Sequence, residues 1–245
     1  MKVRKEMRTA NRKSDELRKV EIIPDVNLYA EGSCLIKFGQ TQVICTASID
    51  SKLPSWLKTE EHGWVTAEYA LLPRSTLTRN NRETHGTGGR THEIQRLIGR
   101  SLRAVVDLNI IKGYTITIDC DVIQADGGTR TASITGGFVA LYIALEKMVK
   151  EQKIPFNPIQ EPIAAVSAGI CDGLILLDLE YQEDSQAQVD ANFVLTESGK
   201  IVEIQATAEK TPFTKQDYNV LLDFAYSGIQ KLISLQKEAI KNAKI

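Results

Sequence analysis

Between Tyr114 and Lys150 the apolar pattern changes period once, and that change restricts the folds open to the chain. Tyr114–Ile123 alternates apolar and polar residues, as a strand with one buried face does. The chain crosses Gln124-Ala125-Asp126-Gly127-Gly128-Thr129-Arg130, and Thr131–Lys150 then reads as a helix. A strand feeding a long helix through a Gly-Gly turn packs its face against that helix, which excludes all-β and all-α architectures. The same order of strands followed by helix recurs elsewhere. Glu31–Phe38 and Gln42–Ile49 alternate around Gly39-Gln40, which predicts a hairpin. Trp64–Leu72 predicts a strand ended by Pro73. Thr91–Leu108 predicts a helix from the spacing of Ile94, Leu97, Ile98, Leu102, Val105 and Val106. Residues 150–162 hold three of the seven prolines and divide the chain. Strands follow at Ile163–Ile170, Gly173–Leu179, Ala191–Thr196 and Ile201–Thr207, then a helix over Thr214–Ala243. The expected fold class is α+β, a layered β-α sandwich of two related halves. Residues 12–245 read as a single domain behind a basic arm, residues 1–11, that reads as disordered or as an added RNA contact, with a mobile or loosely docked stretch extending to residue 18.

A chain of 245 residues, 42% hydrophobic and 25% charged, can bury a sizeable core without staples; a disordered chain or fibre is excluded. Uninterrupted apolar stretches such as Ile163–Val166 fall far short of the ~20 residues that span a bilayer. The first 20 residues lack a signal-peptide core, so the expected location is cytoplasmic, with no membrane partner. Cys34, Cys45, Cys120 and Cys171 lie in or beside strand-like runs without C-x-x-C spacing, and read as small buried hydrophobes. Three histidines without H-E-x-x-H spacing argue against zinc.

The net charge of −1 hides a segregated distribution. Arg74 to Arg103 contains seven arginines, two acids and no lysine. The first 20 residues hold eight basic groups against three acidic ones, and Asp178 to Asp190 holds five acids and no base. Two basic blocks and one acidic block suit a polyanion substrate together with a metal or proton-transfer site.

The strand–GGTRTAS–helix junction is the most informative local feature. Gly127 and Gly128 let the backbone approach a ligand. The following amides and the Thr129, Thr131 and Ser133 hydroxyls would project from a helix N-terminus, and Arg130 adds a planar fork. The spacing matches neither the P-loop nor G-x-G-x-x-G; the plainer alternative is a capped helix start. Gly88-Gly89-Arg90-Thr91 is similar, and Arg90 could join Arg130 around one oxyanion, or Thr91 could simply cap its helix. Arg96, Arg100 and Arg103 share one helix face, most simply a solvated one. Residues 73–90 read as a long basic loop. In the acidic run Asp184 and Asp190 are the pair suited to a hard divalent cation; the alternative is a solvated turn. At 6% aromatic, the chain lacks a stacking platform for several bases.

Several stretches resemble the ribonuclease PH family. They are Ser14–Arg18, Ala30–Ser33, Gly63–Tyr69, Leu72–Arg74, Gly89–Asp107, Asp119–Gly136, Asp178–Asp190 and Val202–Gln205. The resemblance implies phosphate-dependent 3′-to-5′ exoribonuclease activity, a reversible nucleotidyl transfer that trims tRNA precursors and other RNAs and releases nucleoside diphosphates. It places phosphate at Arg90, Gly128, Thr129 and Arg130. It implies catalytic roles for Asp184, Asp190 and Arg130, with Mg²⁺ at the two aspartates, and an RNA grip by Arg74, Arg79 and Arg82. It also implies a fold like the second domain of ribosomal protein S5 and a homo-hexameric ring, a trimer of dimers. The family pattern E-I-Q-G-T-A-E-G is altered here by Ala206 and Lys210, and D-G-R by Ala10-Asn11-Arg12; Lys19 replaces a proline. The competing readings are a catalytically silent RNA-binding ring subunit and a hydrolytic two-metal exonuclease, which would need a larger carboxylate cluster.

Overall fold

A computed structural model describes residue 8 and residues 11–57, 62–82 and 88–244. The rest of the basic arm and positions 83–87 of the basic loop lie outside the described residues. The strands are β1 (Val20–Pro24), β2 (Gly32–Phe38), β3 (Thr41–Asp50), β4 (Trp64–Leu71), β5 (Thr115–Gln124), β6 (Ile163–Cys171), β7 (Leu174–Leu177), β8 (Val189–Thr196) and β9 (Ile201–Ala208). The helices are α1 (Gly89–Arg103), α2 (Thr129–Lys150), α3 (Tyr181–Asp184) and α4 (Lys215–Lys241).

The strands form a five-stranded sheet in the order β1-β2-β3-β5-β4 and a four-stranded sheet in the order β7-β6-β8-β9. Parallel neighbours need a crossover, and α1 supplies it between β4 and β5. The hairpin of β2 and β3 forms as its sequence predicts. On β5 the alternation buries Ile116, Ile118, Cys120 and Val122, the face that α2 covers. A Cβ at Gly136 of α2 would meet Cys45 Sγ and Ile36 Cγ2 at 2.8 Å, so a glycine is what lets helix and sheet approach this closely. On its other side α2 meets β6, where Thr135 Oγ1 donates to Ala165 O (3.2 Å) and accepts from Ala165 N (3.0 Å). A helix between two sheets has no polar face to keep. By length and composition α2 could cross a membrane, but 78% of its apolar window is buried in this core. One continuous core runs from Cys34 to Ile233 and joins both sheets.

Cys34, Cys45 and Cys120 sit opposite one another across β2, β3 and β5, buried, while Cys171 is half-buried. Two short elements, β1 and α3, were not predicted. The α1 helix starts at Gly89 and stops at Arg103, five residues before the predicted Leu108. Val105 and Val106 remain buried, but their backbone leaves the helix for the 158–160 segment: Asp107 N donates to Pro158 O (3.0 Å) and Gln160 N to Val105 O (2.9 Å).

Candidate active site

Two helix N-termini lack the usual caps. Gly127 (φ 76°) and Gly128 (φ 67°) are left-handed, and a Cβ on Gly127 would lie 2.5 Å from Leu179 O. Gly128 is the N-cap of α2, with no side chain capping it and no acid in the first turn. The start of α1 repeats this: its N-cap is Gly88, not Thr91, again without a side-chain cap or a first-turn acid. First-turn amides have no acceptor within their own helix and carry the positive end of its dipole, so both ends suit an anion.

Two of the three hydroxyls expected at this junction are committed elsewhere, and the third, on Ser133, has no hydrogen-bond partner among the described residues. Thr129 Oγ1 lies 2.8 Å from the Tyr69 hydroxyl, Thr131 Oγ1 donates to Gly128 O (2.9 Å), and Ser133 is fully buried. The two threonines hold the turn in shape, which leaves backbone amides and arginines to face a ligand. Burial pushes the Tyr69 hydroxyl pKa up, so it stays neutral.

Arg90, Arg130, Asp184 and Asp190 line one open cleft of about 960 Å³, joined by Asn192 and Gln205. Arg130 Nη1 donates to Gln205 Oε1 at 3.1 Å and lies 3.7 Å from Glu93 Oε1. Asp184 ends α3. Asp190 is the second residue of β8, between Gly169 of β6 and Thr207 of β9. Burial raises the pKa of Asp184, with Arg130 and Arg90 opposing. Asp190 is pushed up to about 6, first by burial and then by the charge of Asp184, against the pull of Arg130. Two half-buried carboxylates that disfavour each other's charge are equipped to share a proton or a cation.

The acidic run is neither a solvated turn nor a single ligand cluster. Its other three acids meet the basic arm. Arg8 donates to both Glu183 oxygens (2.6 and 2.9 Å), Arg12 lies 3.5 Å from Glu183 and 3.8 Å from Glu180, and Arg18 grips Asp178. Residues 12–18 are therefore firmly anchored, contrary to the loose docking expected. Arg8, Arg18, Asp178, Tyr69 and Gln205 were not singled out as site residues. Their only sequence signal was the complementary charge of two blocks more than 150 residues apart, or membership in a matching stretch.

Arg74, Arg79 and Arg82 are exposed and do not line the cleft. They sit on a segment pinned next to it, where Ala125 N donates to Ser75 O (2.8 Å) and Asn80 N to Pro73 O (2.8 Å). The presumed solvated stripe on α1 is only partly so. Arg100 makes a two-pronged pair with Glu203 (2.6 and 2.7 Å), and Arg103 stacks 4.2 Å from the Trp64 ring centre while donating to Val65 O; Arg96 is exposed. Ala206 and Lys210 are not left-handed, so the missing glycines cause no strain, whereas Asn11 takes φ 58°. Among the described residues no group of three or more His, Cys, Asp or Glu side chains could hold a metal ion. That argues against the larger carboxylate cluster of a two-metal nuclease.

The chain has known relatives. The model of the 3′ exoribonuclease family, domain 1, matches residues 16–145, and that of domain 2 matches residues 161–228. The chain is 55% identical over 236 residues to ribonuclease PH of Methylobacterium nodulans, covering 96% of this chain and 100% of that protein. It is 53% identical over 237 residues to ribonuclease PH of Brucella ovis, with the same coverage. Among solved structures, an Archaeoglobus fulgidus exosome with RNA bound to the active site superposes with a TM-score of 0.79 at 24% identity, over 94% of this chain and 92% of that one. Rice (Oryza sativa) Rrp46 superposes with a TM-score of 0.75 at 16% identity, over 94% and 98%. These two likenesses speak to the fold alone. With both domain models matched in order and more than half of all positions shared with ribonuclease PH proteins, the chain belongs to the 3′ exoribonuclease family.

Proposed function

We propose that the cleft is where this phosphorolytic 3′ exoribonuclease works, with inorganic phosphate held by Arg90, Arg130 and the amides of residues 128–130. One observation carries the assignment: Arg90 and Arg130, each the second residue of a helix with an uncapped N-terminus, share a cleft with two aspartates of raised pKa, while Gly128 and Thr129 stand just behind its lining. A phosphate oxygen attacks the last phosphorus of the RNA. The new phosphorus–oxygen bond forms as the bond to the penultimate 3′ oxygen breaks, that oxygen takes a proton, and a nucleoside diphosphate leaves. Both reactants are anionic, so the arginines lower their repulsion and align the attack. Asp184 is the proton donor in this reading, since burial favours its protonated form.

Asp190, and Asp184 whenever it is ionised, offer the hard oxygen donors that Mg²⁺ takes, which it commonly accepts as one or two carboxylates with waters and substrate phosphates. When bound, Mg²⁺ would neutralise charge at the scissile phosphate. Arg74, Arg79 and Arg82 grip the body of a tRNA precursor whose 3′ extension enters the cleft. Their exposure beside the cleft, but outside it, supports that division. We place the enzyme in the cytoplasm as a homo-hexameric ring. The test is a 3′-extended tRNA with Mg²⁺, with and without phosphate. Diphosphates only with phosphate are expected. Monophosphates without it would mean hydrolysis, and no release from assembled protein would mean a silent RNA-binding subunit.

A further inference from the structure

The junction between the basic arm and the acidic run passes through Arg18, which is only 6% exposed and does not line the cleft. Its Nε and Nη2 donate to the two oxygens of Asp178 at 3.1 and 2.7 Å, and its backbone N donates to the same carboxylate at 2.8 Å. On the other edge of the guanidinium, Nη1 donates to Asp126 O (2.5 Å) and Nη2 to Gly127 O (3.3 Å). One planar group thus ties a fully buried carboxylate to the two carbonyls that precede the oxyanion turn. Asp178 is left-handed at φ 54°, a conformation that costs a non-glycine residue free energy and persists only where its surroundings hold it. Six residues later comes Asp184. Between them, Tyr181 N donates to Asp126 Oδ1 (3.4 Å) and the backbone of Leu179–Tyr181 abuts Gly127.

We propose that Arg18 is a positioning residue for the reaction: clamped by Asp178, it fixes the Asp126 and Gly127 carbonyls and holds the oxyanion turn in register with the segment carrying Asp184. The inference rests on the phosphate site proposed above. It requires a fork, because a lysine ammonium can reach Asp178 or the carbonyls but lacks the five in-plane donors that serve both. Loss of the fork should therefore disturb phosphate handling without disturbing the hold on RNA, which an overall loosening of the fold would not do.

The experiment compares wild type with Arg18→Lys on a 3′-extended RNA, measuring KM for phosphate, KM for RNA and kcat on assembled protein. The expected result is a KM for phosphate raised on the order of tenfold, with KM for RNA unchanged. An unchanged KM for phosphate, or equal rises in both, would overturn the proposal. If Arg18→Lys does not fold, hydrogen exchange on wild type decides, with inorganic phosphate as the probe. The Arg18 amide should slow together with those of residues 129–131, and protection of the latter alone would overturn the idea. Wild type that releases no diphosphate in the presence of phosphate would refute the site itself, an outcome distinct from failure of the Arg18 variant alone.

Discussion

The Tyr69 hydroxyl, on β4, lies 2.8 Å from the Thr129 hydroxyl, on the first turn of α2, and so joins the sheet to the oxyanion turn from below. Tyr69→Phe removes that partner with little change in shape. Thr129 is only half-buried and its hydroxyl can turn to water, so the lost bond costs about 0.5–1.5 kcal/mol. We expect a lower melting temperature and a several-fold rise in KM for phosphate, with KM for RNA unchanged. Calorimetry and phosphate titrations would check this. Equal phosphate KM values for variant and wild type would detach Tyr69 from the site.

Arg130→Ala should cut phosphate-dependent kcat/KM by about 100-fold or more, the scale of losing a preorganised charge at a reacting oxyanion. Stability should change little, because the direct bonds of Arg130 among the described residues are one to Gln205 and a long pair with Glu93, and its pull on Asp184 and Asp190 acts across an open cleft. Arg130→Lys should recover little, since a point charge does not reproduce a two-pronged grip. Recovery to near wild-type rates would show that charge alone suffices.

Asp190 makes a pH prediction with a definite sign. Its pKa is raised to about 6, so the folded state binds its proton more tightly than the unfolded chain does. Stability therefore falls as pH rises from about 4 to about 6, and above that the buried charge costs about 2–3 kcal/mol. Asp190→Asn should be inactive yet melt several degrees higher at pH 8, with the gap closing by pH 4. Adding Mg²⁺ at pH 8 should raise the wild type toward the variant. A variant less stable than wild type at pH 8 would contradict this electrostatic reading.

Arg79→Ala should weaken tRNA binding and reduce the slope of log affinity against log salt by about 1, one phosphate contact fewer. Turnover of a short RNA should be untouched, since Arg79 does not line the cleft. If short and long RNAs suffer alike, the loop does not act as a separate grip.

The long elements were legible because their apolar period is set by burial on one face: β2, β3, β5 and α2 all lie within two residues of where the pattern puts them. Arg90, Arg130, Asp184 and Asp190 were legible as charged residues beside glycines or strand starts, and the fold brings all four to one cleft. What was illegible depends on distant partners. β1 is an edge strand of five half-exposed residues with a weak pattern of its own. The end of α1 is decided by hydrogen bonds to 158–160, and no property of Val105 announces them. Thr129, Thr131 and Ser133 looked like ligand hydroxyls because position in a motif does not reveal which way a side chain is used. Complementary charge in the arm and the acidic run was visible, but its pairing required the fold.

Because α2 fills the space between the sheets and its first turn carries Arg130 of the cleft, a ligand bound there would be tied directly to the core. Binding that draws only on the folded form adds to its stability in proportion to the logarithm of ligand concentration. A ligand in the cleft would pass that gain to the whole molecule through a helix packed against both sheets. Heat should thus abolish catalysis and tertiary structure in a single step, and the phosphate present in the solution should help to set the temperature at which both vanish.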